Sequence, residues 1–413
     1  MKFWLCGFLI FAAAARGQMQ MGGPASTLSE NVLRHMASGT SLEPDSSAPP
    51  MLMRMSGNWM EMLHGEASID EQQQTGPRGR DKLFSVNWAM LMAQRTEGRG
   101  EWTLRAMFSL EPATITGRYY PELFQQGETA FGKAIVDGQH PHDLFMELAA
   151  IYDEKIGEHS VLTLYAAPVG DPALGPEAFP HRMSAESDPL APLAHHLQDS
   201  THIAYDVVSG GLTVLRARIE ASGFHGREPG ENRWTIEAGA LDSWSARLTA
   251  VPENDWLVQY SLGHLHSPEA LHPDEDVLRQ TASVSFHHSW ATANLDASAI
   301  WGRNHTIGTD VNANGYLLEA ETRLHDVHSI WTRIENDDRT TDLLGADAPA
   351  QETVIGRVQA YSGGYAHRIL KLDWGALELG AQATLYSTPQ RLVPLYGAHP
   401  VGAAALLHLR VGH

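Results

Sequence analysis

Imidazole and carboxylate side chains recur together along this chain. His140 and His142 flank Pro141, with Asp143 next in line, and His195 and His196 are followed by Asp199 and His202. Further on, His264, His266 and His272 lie beside Glu269, Asp274, Glu275 and Asp276. Imidazole nitrogen with carboxylate oxygen is a donor set for zinc, copper or nickel. His140, His142, Asp143, His195, His196, Asp199 and His202 are therefore the candidate metal ligands, with copper or zinc the only cofactors implied. No HExxH or comparable spacing accompanies them, so strand-end capping and bonding to loop backbone is the favoured reading of the same histidines.

Methionine is also uneven. Met19, Met21, Met36, Met51, Met53, Met55, Met60 and Met62 crowd the first part of the chain, and none follows Met183. Thioethers select copper(I), so the MLMRM run at 51–55 can collect copper. The alternative is an adaptable apolar stretch leading into the first strand. A catalytic constellation needs a nucleophile, a base and an orienting group within reach of each other. GxSxG and phosphate-cradling glycine loops are absent, and no catalytic residue is assigned. SGG at 209–211 reads as a tight turn.

The elements that position these groups begin with an address. Lys2 precedes the apolar run 3–15, and small residues continue to Gly17, which is the pattern of a secretory signal peptide over 1–17. The single cysteine, Cys6, lies inside it. Export without disulfides suits a bacterial envelope protein. Among the 413 residues, 29 Lys+Arg stand against 49 Asp+Glu, a formal net charge of -20, which argues against a nucleic-acid partner. No run reaches the roughly 18 apolar residues of a membrane helix. Residues 18–56 read as a Met-rich periplasmic segment carrying one short helix at 27–36, with Thr27 as N-cap and Glu30 three residues on.

From residue 57 to 413 apolar residues recur at every second position, the period of a strand. Phe84, Val86, Trp88, Met90 and Met92 alternate with Ser85, Asn87 and Ala89. Trp102, Leu104, Ala106 and Phe108 alternate with Thr103 and Arg105, and the run from Leu215 to Ala221 alternates with Arg216, Arg218 and Glu220. The pattern predicts an all-β fold, a transmembrane antiparallel up-and-down β-barrel of about 16 strands (range roughly 14–18). Strands are expected near Gly57, Leu83, Glu101, Asp143, Ser160, Thr201, Leu212, Ile236, Trp256, Leu278, Ala291, Gly315, His328, Thr353, Leu372 and Val401. Long connections follow odd strands, at 111–142 and 168–200 above all, and short ones follow even strands. Short turns at one rim and long loops at the other are what an outer-membrane barrel shows. Arg105, Arg216, Arg218, Glu220, Glu319, Glu321, Arg323, Arg333 and Arg357 are expected to face a wet lumen. Trp59, Trp102, Tyr152, Trp256, Trp301 and Tyr386 are expected in interfacial girdles. A β-sandwich also alternates, but has no reason for regular long and short connections.

Several segments carry a resemblance. They are GQHPHD (138–143), DSTHI (199–203), ASGFHGREP (221–229) and SPEALHPDED (267–276). On these segments the chain resembles an uncharacterised family of Gram-negative outer-membrane β-barrel proteins. The resemblance implies an outer-membrane location and no established activity. The expected function is a porin-like channel for small solutes, with long extracellular loops restricting its mouth. Two alternatives stand beside it: a metal-linked barrel using the His-rich loops, and a barrel enzyme acting on lipid or envelope substrates. The partners implied are outer-membrane lipid, the barrel assembly machinery, and small solutes or metal ions.

Overall fold

The computed structural model describes residues 24–349 and 351–412. The expected signal peptide with Cys6, and Met19 and Met21, lie outside the described residues. Sixteen antiparallel strands form one sheet. They are β1 (Trp59–Gln74), β2 (Lys82–Glu97), β3 (Gly100–Phe108), β4 (Phe145–Gly157), β5 (Ser160–Gly170), β6 (Ala204–Val214), β7 (Ala217–His225) and β8 (Ser243–Glu253). The second half comprises β9 (Trp256–Leu265), β10 (Val277–Trp290), β11 (Ala293–Thr306), β12 (Asn312–Leu324), β13 (His328–Thr340), β14 (Val354–Leu372), β15 (Gly375–Ser387) and β16 (Val401–Val411). Each strand pairs with the next, and β16 pairs with β1 from Gly65↔Val411 to Gln74↔Gly402, which closes the barrel. A short strand, Leu52–Ser56, continues along β1 beyond the end of β16, with Met53 opposite Met62.

The expected starts fall close to the observed ones. The widest difference is Ile236 against Ser243. The alternation at 236–241 belongs to a loop, where Ile236 packs onto an internal apolar cluster instead of pairing. Two- and three-residue turns join strands at one rim, and connections such as 109–144, 171–203 and 341–353 lie at the other.

Leu104, Leu164, Ile219, Leu248, Leu318 and Leu379 are exposed on the outer face, with Trp102, Trp256 and Trp290 near the short-turn rim. Arg105, Arg218, Glu220, Glu319, Glu321 and Arg333 face inward and are buried. Three expectations are corrected. Arg216 lies in the 215–216 turn, bonded to the carbonyls of Val251 and Pro252, because the strand ends before it. Arg357 points outward and pairs with Asp338, since the register shift at Arg339/Thr340 precedes an inward face made of Val358 and Ala360. Tyr386 is buried against Phe124 inside the long-loop rim, not in a girdle. The apolar series of β2, Phe84 to Met92, also faces inward, while Leu83 and Leu91 face out. That inversion requires apolar material inside the barrel.

Candidate functional site

The material inside comes from both ends. The N-terminal segment is expected in the periplasm, but residues 24–51 fold back into the barrel. Helix α1 (Leu28–Arg34) starts at Thr27, whose hydroxyl accepts from the Glu30 amide at 3.2 Å, as its spacing predicts. Beyond it, His35 Nε2 lies 2.6 Å from Asp153 on β4. Arg105 on β3 donates to the carbonyls of His35, Ala37 and Gly39 and pairs with Glu147 at 2.8 Å. Ser38 donates to Asp171 at 2.9 Å, and Arg247 on β8 donates to Thr40 and Ser41. The chain then returns to the short-turn rim, where the Ser46 amide donates to Asn254. Asn31 bridges the two limbs through Asp45 and the Glu43 carbonyl.

The loop 171–203 fills the other half of the lumen. Arg182 pairs with Glu319 on β12 and with Asp199 at 3.1 Å within its own loop. Ser187 donates amide and hydroxyl to Glu321, each at 2.7 Å. Arg333 on β13 binds Asp188 and the Leu190 carbonyl, and Arg339 donates to Leu193. Wall charges that would line water in an open pore are thus spent on the inserts. A buried charge is tolerated only when paired and hydrogen-bonded, so these contacts specify where each insert sits.

Against this frame the seven candidate ligands separate. His142 Nδ1 lies 2.9 Å from Glu111, Asp143 pairs with Arg233 and accepts from Tyr205, and His195 Nδ1 lies 2.7 Å from Asp199. His202 donates to the Asp199 carbonyl at 2.8 Å. Burial holds His195 down at about 4 and His202 well below the ordinary histidine range. Asp199 is buried as well, but His195 and Arg182 beside it win and hold its carboxyl below the usual range. These five residues form a structural network.

His140 and His196 do come together, with Glu128, which sequence spacing does not reveal. One donor atom from each lies within 4.8 Å of the others. His140 Nδ1 meets the Pro141 carbonyl at 3.0 Å and its Nε2 lies 2.9 Å from Glu128. His196 is buried; its Nδ1 faces Glu228 at 3.6 Å, and its Nε2 has no hydrogen-bond partner among the described residues. Glu269 and His272 of the 266–276 loop form a second such group with Asp342 and Glu352. Glu128 and Asp342 escape sequence reasoning because they reach their histidines only through loop folding.

A serine–histidine–aspartate relay also exists at the short-turn rim. His287 lies 2.9 Å from the Ser289 hydroxyl and 2.7 Å from Asp296. All three belong to the β10–β11 hairpin, and the relay satisfies a buried imidazole at a strand end.

Cavities lie among the inserts. One of about 280 Å³ is lined by Met36, Met51, Met53, Met60 and Met62 with residues of the N-terminal segment. One of about 50 Å³ adjoins His196 and His272, and one of about 30 Å³ adjoins Trp88, His140, His142 and His408.

No protein-family model matches the chain, and no curated protein matches it. Solved structures do. An anion-selective porin from Comamonas acidovorans superposes with a TM-score of 0.51 at 10% identity, covering 85% of this chain and 99% of the porin. Salmonella typhi OmpF in complex with daunomycin gives 0.51 at 8% identity, covering 87% and 99%. At these identities the likeness is one of fold: a closed outer-membrane-type barrel.

Proposed function

We propose that this protein is an outer-membrane conduit for small solutes, held shut by residues 24–51 from one side and by 171–203 from the other. The observation that carries the reading is the inward face itself. It keeps a full set of charges of both signs, and they bind the inserts through ion pairs and hydrogen bonds. A barrel serving only as a scaffold gains nothing from a charged wall, whereas removable inserts in a polar lumen leave a water-filled pore when displaced. The exposed apolar outer face supports an outer-membrane location, with lipid and the barrel assembly machinery as partners.

The test is current across a planar bilayer. The paired variant R105M/E147Q removes the guanidinium that grips three carbonyls of the N-terminal insert without leaving a buried carboxylate orphaned. Wild-type protein is expected to open rarely and the variant to conduct persistently. Silence from both overturns the reading.

A second reading rests on Glu128, His140 and His196: a zinc or copper(II) site at the long-loop end, made of two imidazoles and a carboxylate. Equilibrium dialysis against zinc is expected to show binding that H140A/H196A abolishes. Equal binding by that variant would exclude the site.

A further inference from the structure

Thioethers gather inside the barrel. Nine of the eleven methionines among the described residues belong to, or pack on, one internal cluster: Met36, Met51, Met53, Met60, Met62, Met90, Met92, Met107 and Met146. The other apolar clusters of the chain are built from leucine, isoleucine, valine, alanine and aromatic residues and contain no methionine. Gap-filling is the usual reason for methionine in a core, and it offers no reason for this segregation.

Register explains how they meet. On the inward face Met53 stands opposite Met62, and Met62 opposite Met92. The adjacent inward row runs His64, Met90 and Met107 across β1, β2 and β3. From above, the 171–203 loop lowers His181 onto this surface, with Nε2 at 2.9 Å from the Met107 sulfur. Both His64 and His181 are buried, and among the described residues the Nδ1 of each has no hydrogen-bond partner. Their rings lie 6.4 Å apart, with Trp88 against both. Thioether and imidazole are neutral donors. They suit a soft monovalent cation, which loses little hydration on burial, and reject hard divalent ions that need carboxylate or water.

The donors continue in both directions. Toward the short turns, Met62 also lines the cavity of about 280 Å³ with four further thioethers. Toward the long loops, Trp88 borders the cavity that holds His140 and His142. Imidazoles then follow one another: His142 to His202 at 5.4 Å, His202 to His195 at 5.3 Å, His195 to His196 at 5.2 Å and His196 to His140 at 6.0 Å.

We propose that the methionine face of β1–β3, with His64 and His181, is a copper(I)-binding site within the lumen. It deepens the conduit reading, on which its role rests, by naming a soft monovalent metal cation as the cargo.

The full-length protein in detergent is titrated with ascorbate-reduced copper in competition with bicinchoninate. Wild type is expected to hold copper(I) against the chelator, with sulfur and nitrogen neighbours in its X-ray absorption spectrum. M62L/M90L/M107L, which conserves volume, is expected to bind about tenfold more weakly or worse. Heat-dependent gel mobility verifies that this variant has folded. M55L, at an exposed position outside the cluster, retains binding. The proposal falls if wild type surrenders its copper(I), if the triple variant binds like wild type, or if only oxygen and nitrogen surround the metal. Bilayer current in copper-free buffer reports the conduit separately. A barrel that conducts without binding copper(I) loses the site alone, and one that binds copper(I) but never conducts loses the conduit.

Discussion

Arg182 stands between Glu319 on the barrel wall and Asp199 in its own loop, all three buried. Replacing it with methionine takes one cation from two buried carboxylates, leaving Glu319 to Arg333 and Asp199 to His195. Breaking a buried ion-pair network is destabilising, which is expected to release 171–203 from the wall. R182M should then raise bilayer conductance, and an unchanged trace would show that Arg182 does not hold the loop. Asp171 gives the opposite insert a pH dependence. Burial, with Glu147 nearby, pushes its carboxyl up to about 7 from an ordinary 3.8, against the pull of Arg247, the Ser38 hydroxyl and Arg105. The inserted state therefore binds more protons than the released state between those limits. Its stability from this group is complete below pH 3.8 and is lost as the pH rises to about 7. Protease access to residues 24–51 should increase from pH 5 to pH 8, and D171N should flatten the trend. A wild-type profile without slope would refute it. At this scale the sequence exposed donor types but not their partners. His140 and His196 were legible, whereas Glu128 was not, because only folding of the 109–144 loop brings it to them.

Strands were the most legible elements, since a two-residue period survives wherever one face meets lipid. It fails where the interior is also apolar. Along β2 the parity reverses, because Trp88, Met90 and Met92 serve an internal cluster and the outward positions carry Leu83 and Leu91. It fails again at Arg357, beyond a register shift. The closing strand β16 pairs through Val411 with both β1 and β15. Close approach also governs one strand contact. Trp331 is buried opposite Gly364, where an added Cβ would lie 2.0 Å from the indole. G364V is expected to cost about 1–3 kcal/mol by overpacking, read as a lower urea midpoint for loss of heat-modifiable mobility. An unaltered midpoint would mean that the indole can move aside.

For the whole molecule, the outer face makes the strongest demand. Leu164 lies mid-strand on β5 and points outward. L164R is expected to cost about 2–4 kcal/mol of folding free energy in lipid vesicles if it meets the hydrocarbon midplane. A negligible cost would argue against a lipid-facing wall. Inside, the barrel has the strand number that leaves room for an aqueous lumen, yet two inserts occupy it. The molecule is thus a wide barrel with a filled lumen, and the same inserts bring thioethers and imidazoles into one series.

The alternation of side chains, the order of long and short connections and the count of strands were all present in the sequence, because each is local and repeats at a fixed period. Which charges face the lumen was also largely readable, for the same reason. Where residues 24–51 and 171–203 go was not. Their positions are set by single ion pairs and hydrogen bonds between groups over 100 residues apart, such as His35 with Asp153 and Arg182 with Glu319. Nothing periodic marks such pairs along the chain. Only closure of the sheet brings both partners to the same depth, and that closure decides whether the lumen is a passage or a filled core.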